Sequence, residues 1–285
     1  MKLPPFEYAA PATLAEAVAL LAAGGAKPLA GGQSLLPTMA FRLAAPRLLV
    51  DLRRVPGLDR IDIDRDGVRL GARVRWRQIE DDARLARAHP LLAAAVAHIA
   101  HYAIRNRGTV GGSLAHADPA AELPGIAVTC DGVLALEGRS GRRAVRAGDF
   151  FLGPLATALA ADELIVELRL PAWPAPRRWG FEEFSRRRGD FALAGVAVCY
   201  DADAEGRARD VRVGVIGACH RPQRVADAEA ALEGRRVDAN AIRDAARAAE
   251  TALDPPEDLH AGADYRRALA GTLLERALER ARGRP

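Results

Sequence analysis

Two glycine pairs about eighty residues apart, set in closely matching surroundings, constrain this chain more than any other feature. The first lies in LAGGQSLLP (29–37), the second in RGTVGGSLAHADPAAELP (107–124). Each runs from apolar residues through Gly-Gly and a short polar step into apolar sequence again. A glycine pair lets the main chain take positive φ and removes the Cβ atoms that keep a ligand away from amide N–H groups. One such corner is a turn. Two, each ending in a hydroxyl residue and carrying no net positive charge of its own, suggest facing walls around a diphosphate gripped by main-chain amides. Neither fits G-x-G-x-x-G or the Walker pattern, which disfavours a Rossmann dinucleotide site and a P-loop. Ser34 and Ser113 lie outside a G-x-S-x-G elbow and have no dedicated base, so neither reads as a nucleophile.

The sequence around the corners reads as alternating elements. ATLAEAVALLAAGG predicts a helix capped by Thr13 with Glu16 completing a capping box, stopped by Gly24-Gly25. KPLAGG reads as a strand entering the first corner, PRLLVDL (46–52) as a second strand, and the alternation about Asp66-Gly67 as a hairpin. From Trp76 to Arg105 the pattern predicts one buried helix with Pro90 at a first-turn position, ending before the second corner. A helix follows Pro119, then strands in GVLALEG, RRAVRAGDFF and LIVELRLP. PAWPAPRR (171–178) reads as a linker, followed by an antiparallel meander and two or three helices. The pattern is an α/β N-terminal domain in two lobes, one corner from each, then an α+β domain.

Composition sets the class. The 285 residues are 49% apolar and 27% charged, enough to bury a large core. No run approaches the roughly 20 apolar residues of a membrane helix, and the prolines near the start break the apolar region a secretory signal would need. The reading is a cytoplasmic protein, not an integral membrane protein. The net charge of +4 is carried almost wholly by arginine dispersed among acids, with seven Phe available for stacking, which argues against nucleic-acid binding. Lys2 and Lys27 are the only lysines, and Lys27 stands just before the first corner. Cys130, Cys199 and Cys219 have neither the spacing nor the number for a disulfide framework, a zinc site or an iron–sulfur cluster.

His116, Asp118 and Glu122 fall within seven residues. A metal or acid–base cluster is one reading. The favoured one makes Asp118 the cap of the following helix and leaves Glu122 free to accept a hydrogen bond from a ligand hydroxyl. His98 and His101 lack a third partner and read as core or surface histidines. SRRRGDFALAG (185–195) reads as a solvated loop, or as a gate in which Phe191 faces a cofactor edge. No catalytic residue and no metal site stands out.

KPLAGGQSLLP, RNRGTVGGSLAHADPAAELP, RRRGDFALAGVAV and ADYRRALAGTLLERALERA, in that order, resemble the FAD-binding medium subunit of molybdenum hydroxylases, the family of the carbon monoxide dehydrogenase flavoprotein subunit and the xanthine dehydrogenase FAD subunit. The resemblance covers nearly the whole chain. It implies an α+β chain: a two-lobed FAD-binding domain of the vanillyl-alcohol-oxidase (PCMH) type at 1–174, with lobes of about 1–55 and 56–174, then a flavoprotein C-terminal domain of antiparallel sheet and helices at 175–285. It implies FAD contacts from Lys27, Pro28, Leu29, Ala30, Gly31, Gly32, Gln33, Ser34 and Leu35 on the first corner, and from Thr109, Val110, Gly111, Gly112 and Ser113 on the second. Glu122 would meet the adenosine side and Leu164 the adenine, with Ile99 and Ala100 beside the flavin on the helix before the second corner. It also implies partners: a large molybdopterin subunit and a small subunit with two [2Fe–2S] clusters, in a heterotrimer or its dimer, with NAD, quinone or O2 as electron acceptor. A stand-alone FAD-dependent oxidoreductase and a cofactor-free assembly module are the alternative readings.

Overall fold

A computed structural model describes residues 2–283. The first layer follows the sequence closely. β1 (Glu7–Ala9) leads to α1 (Leu14–Ala22), where Thr13 Oγ1 accepts the Glu16 N–H at 3.1 Å and the Glu16 carboxylate accepts the Ala12 N–H at 2.8 Å. Gly24 and Gly25, at φ 83° and 72°, end the helix. β2 (Ala26–Leu29) runs into the first corner, α2 (Leu35–Ala40) leaves it, and β3 (Leu48–Asp51) returns between β1 and β2, parallel to both.

β4 (Ile61–Asp64) and β5 (Gly67–Gly71) form the expected hairpin. The single helix expected over 76–105 is four short ones instead: α3 (Trp76–Asp81), α4 (Ala83–Ala88), α5 (Pro90–Val96) and α6 (Tyr102–Arg105). Each break has a local cause. Asp82 caps α4 through the Arg84 N–H, and His89 precedes Pro90, whose ring pushes it out of the helical region, to φ −152°. Between α5 and α6, Ala100 takes a left-handed φ of 42°, and Arg105 Nη1 bonds the Ile99 and Ala100 carbonyls at 2.9 and 3.1 Å.

Next come α7 (Val110–His116), α8 (Glu122–Thr129), β6 (Val133–Gly138) and β7 (Gly141–Arg146). The strand expected through RRAVRAGDFF turns at α9 (Ala147–Phe150), which sends the Phe150 and Phe151 rings edge-to-face into the core at 5.2 Å. β8 (Phe151–Gly153), β9 (Ala156–Thr157) and β10 (Leu164–Pro171) complete an antiparallel five-stranded sheet, β4-β5-β10-β6-β7, and a small side hairpin. The meander is β11 (Arg178–Phe184), β12 (Ala194–Ala202), β13 (Ala208–Ile216) and β14 (Gln223–Arg224), adjacent in chain order. α10 (Ala226–Leu232), α11 (Ala239–Ala252) and α12 (Ala263–Arg282) close the chain.

Three apolar clusters tie these layers together. Ala17, Val18 and Leu21 of α1 and Val50 of β3 pack on Ala135, Leu164 and Val166, joining the first layer to the five-stranded sheet. The central cluster runs from β5, β6 and β10 through α3, α4, α5, α7 and α8 to Phe181, Ala197 and Cys199 on the meander. The third lies between the meander and α10–α12. α8 rests on β12 and β13 along one side and on α5, α7 and α9 along the other, so seven of its residues are buried.

Candidate cofactor site

The two glycine corners touch. Gly31 is buried, and a Cβ built on it would lie 2.2 Å from the Arg107 carbonyl oxygen and 3.1 Å from Gly108 Cα. Only a bare backbone can approach the second corner that closely. Gly32 uses the other property of glycine, a φ of 74°. The Gly32, Gln33 and Ser34 N–H groups have no acceptor among the described residues. Gln33 Nε2 folds back on the Gly31 carbonyl at 3.0 Å, and the Ser34 hydroxyl caps nothing. Leu35 opens α2. Behind the corner, Lys27 is exposed on β2, and Pro28, Leu29 and Ala30 are half-buried.

The second corner differs from the expected bare loop. It is the first turn of α7, and its amides are engaged. Val110 N–H donates to Val74 O at 2.9 Å, Gly111 N–H to Ala72 O at 2.7 Å, Gly112 N–H to Thr109 Oγ1 at 3.2 Å and Ser113 N–H to Thr109 O at 3.0 Å. A Cβ on Gly111 would lie 2.6 Å from Ala72 Cβ, so this glycine lets α7 seat against the end of β5. Gly112 is exposed, and its built Cβ meets only Thr109 Oγ1, at 2.8 Å. The first wall therefore offers free donors, and the second a smooth surface with the half-exposed Ser113 beside it.

Ile99 and Ala100 lie in the turn between α5 and α6, not on a helix; Ile99 is buried and Ala100 half-buried. Arg105, which holds this turn, is itself paired with Glu80 at 3.0 Å. The SRRRGD loop leans on the same turn: Gly189, at φ 87°, could carry no Cβ without meeting His101 at 2.4 Å and Ala100 O at 2.8 Å. His98 stands edge-on to Phe181 at 5.1 Å, and His101 precedes α6. Beyond the loop opens a cleft of about 740 Å³, lined among others by Asp118, Arg186, Phe191, Leu193, His260 and Arg266. Phe191 is 71% exposed there. Arg266 is buried, and its Nη1 donates to Leu193 O and Gly217 O while Nη2 meets Asp258 at 2.8 Å.

Asp118 is not the cap of α8. Its Oδ1 accepts the Ala120 N–H at 2.9 Å in a tight turn, and Ala121 holds the cap position. Glu122 is the first residue of α8 and faces the meander. Burial is the main reason its carboxyl is held above the usual range, and the Asp118 charge adds to it. On β11, burial likewise raises the Glu183 carboxyl, and the Glu122 charge raises it further. Leu164 is 2% exposed, with its side chain committed to the α1 cluster. Among the described residues, no group of three His, Cys, Asp or Glu side chains is placed to hold a metal ion, and no helix is long and apolar enough to cross a membrane.

Residues 4–173 match the profile of the FAD binding domain in molybdopterin dehydrogenase, and residues 179–281 that of the CO dehydrogenase flavoprotein C-terminal domain. The chain belongs to the FAD-binding family of the molybdopterin dehydrogenases. Within the family it is 44% identical over 285 residues to the nicotine 6-hydroxylase medium subunit of Paenarthrobacter nicotinovorans, covering 100% of both chains. It is 38% identical to the carbon monoxide dehydrogenase medium chain of Hydrogenophaga pseudoflava, covering 98% of this chain and 97% of that one. Reconstituted CO dehydrogenase from Oligotropha carboxidovorans superposes with a TM-score of 0.97 at 34% identity over 100% of both chains. Quinoline 2-oxidoreductase from Pseudomonas putida 86 does so with a TM-score of 0.94 at 38% identity over 99% of both. The protein is thus an FAD-binding medium subunit of the molybdenum hydroxylase type, an oxidoreductase subunit with the two-lobed FAD-binding fold and the flavoprotein C-terminal domain.

Proposed function

We propose that this chain is the relay subunit of a molybdenum hydroxylase. It holds FAD between the corner at Lys27–Leu35 and the corner at Thr109–Ser113, receives electrons from the [2Fe–2S] clusters of a small partner subunit fed by a large molybdopterin subunit, and delivers them to NAD, a quinone or O2. The observation that carries the reading is the contact of Gly31 with the Arg107–Gly108 backbone beside the free amides of Gly32, Gln33 and Ser34. A dinucleotide diphosphate fits such a place: three N–H groups can donate to its oxygens without a lysine clamp, and Gly112 leaves it room to pass. Glu122 serves as acceptor for a ligand hydroxyl, and the Ile99–Ala100 turn, fixed by Arg105, borders the flavin.

Bound flavin supplies the ability to take electrons singly and release them in pairs. The protein positions it and admits the acceptor; the cleft beside Phe191 and Arg186 has the volume for a nucleotide or quinone. Three cysteines cannot supply the four ligands of an iron–sulfur cluster, which supports electrons arriving from another polypeptide. The same cysteine usage supports a cytoplasmic setting.

The test is rapid-mixing spectrophotometry of the chain alone and of the reassembled complex. The purified chain should be yellow and release FAD on denaturation. Substrate of the complex should bleach the flavin only when both partners are present. Substrate turnover by the isolated chain would favour a stand-alone oxidoreductase, and a colourless chain that still binds its partners would favour an assembly module.

A further inference from the structure

The turn between α5 and α6 has an outward side that the cofactor site leaves unused. Ala97, His98, His101, Tyr102 and Ala103 are exposed there, Tyr102 by 62%. From Ala88 to Ile104 the sequence holds no Asp, Glu, Lys or Arg, although 27% of the chain is charged. Burial accounts for the first part of that run, where Leu91, Leu92, Ala95 and Val96 face the core, but not for the exposed part. Cations border the face. The Arg77 guanidinium of α3 lies 5.7 Å over the Tyr102 ring. Gly189 is seated against His101 and the Ala100 carbonyl, which brings its neighbour Arg188 to the edge, on a loop with three arginines to one acid. The acids of α3 are committed: Asp81 pairs with Arg77 at 2.8 Å and Glu80 with Arg105 at 3.0 Å. An uncharged centre with an exposed tyrosine and an arginine rim has the composition of a protein interface.

We infer that this face, centred on Tyr102, is the docking surface for the iron–sulfur partner subunit that delivers electrons to the flavin. This rests on the relay reading above. Two properties select that occupant. The first is charge. A [2Fe–2S] cluster held by four thiolates is an anion, more so once reduced, so a donor that presents it is drawn to an arginine rim. A second copy of this chain would bring the same arginines and be repelled. The second is position. In the relay reading the Ile99–Ala100 turn borders the flavin, and the docking face is made by the residues directly before and after that turn. The turn is held in place: Ala100 takes φ 42° despite its Cβ, and Arg105 Nη1 donates to the carbonyls of both turn residues. A donor seated on Tyr102 therefore stands one turn of chain away from its acceptor. Phe41 and Leu43 are exposed as well, but they follow α2, which leaves the diphosphate corner and not the flavin turn.

The experiment is titration of the full chain with the small subunit isolated from the complex, followed by fluorescence anisotropy of a dye on that subunit at several salt concentrations. Tyr102→Ala should weaken binding by about tenfold or more, the loss expected at an interface anchor. Ala103→Glu, which sets an acid into the face, should weaken it too. Arg188→Glu should slow association and flatten its salt dependence. All three should keep the wild-type flavin content and unfolding temperature, which separates lost docking from lost folding. Binding by Tyr102→Ala and Ala103→Glu within about twofold of wild type overturns the inference. So does a loss confined to Phe41→Ser, which puts the donor at the end of α2, or a wild-type dimer that Tyr102→Ala dissociates, which makes the face a contact between copies. The two readings fail separately. A chain that holds no FAD defeats the relay reading, whereas the anisotropy reads docking on Tyr102 whether flavin is bound or not.

Discussion

A methyl group added at Gly31 would stand 2.2 Å from the Arg107 carbonyl oxygen, main chain that has no rotamer to escape into. Gly31→Ala must therefore part the two corners. It should lower stability by about 2–3 kcal/mol, the upper end for overpacking, and lose flavin with it. The exposed Gly112 gives the contrasting case: Gly112→Ala disturbs only the Thr109 cap, so it should cost about 1 kcal/mol. Urea unfolding and the flavin-to-protein ratio of the two purified variants check both expectations; equal stabilities would contradict the contact. The glycine pairs were legible from residue type alone. Their inequality was not, because the Val110 and Gly111 amides are taken by carbonyls of Val74 and Ala72, far back in the chain. A carboxylate on the inward face of FEEF was also legible in principle, since Glu183 shares a period-two face with Phe181, but the burial that raises its carboxyl depends on how the helices pack on the meander.

At the scale of single elements, α5 shows what a cap can do to pH dependence. His89 Nδ1 accepts the Leu92 N–H at 3.2 Å, and its ring packs on Trp173 at 4.7 Å. Burial, aided by the Arg177 charge, pushes its pKa down from 6.5 to about 4. The folded chain holds this histidine neutral while the unfolded chain protonates it near pH 6.5. Its contribution is therefore complete above pH 6.5 and is lost as pH falls toward 4, by up to about 3 kcal/mol. Glu122 and Glu183 act in the opposite sense, so the comparison must be differential. His89→Asn, which can still cap, should show a smaller stability loss between pH 7 and pH 5 than wild type in urea unfolding; parallel losses would refute a neutral His89. Pro90 marked a first-turn position in the sequence and does open α5, whereas the break at Asp82 before α4 was passed over in the single helix expected there. The break at Ala97–His101 was hidden inside an apolar run, because no Gly or Pro marks the left-handed Ala100 and the residue that holds it, Arg105, lies after the turn.

Across the whole molecule, α8 and the meander are held by charge as well as by packing. Asp131, just after α8, pairs with Arg212 at 3.2 Å and Arg224 at 3.0 Å, while Arg177 reaches Asp201 at 2.9 Å and Asp210 at 2.5 Å. Asp131 is partly shielded at φ 51°, a conformation Asn also tolerates, so Asp131→Asn removes charge without backbone strain. It should lower stability by about 1–2 kcal/mol, with the difference shrinking in high salt. A ligand spanning both corners works at the same scale, because it joins the first layer to the α7 side of the second. Any ligand that binds only the folded chain stabilises it by mass action, by about 2.7 kcal/mol at a hundredfold excess over Kd. For a chain of this size that is a rise in Tm of roughly 5–10 °C with added FAD. Gly112→Val should lose a few degrees without flavin, because its Cβ disturbs the Thr109 cap, and should then show little further rise when FAD is added. A full rise in that variant would mean that the diphosphate does not pass over Gly112, and the two corners would then be a packing device between lobes and not the walls of a cofactor cleft.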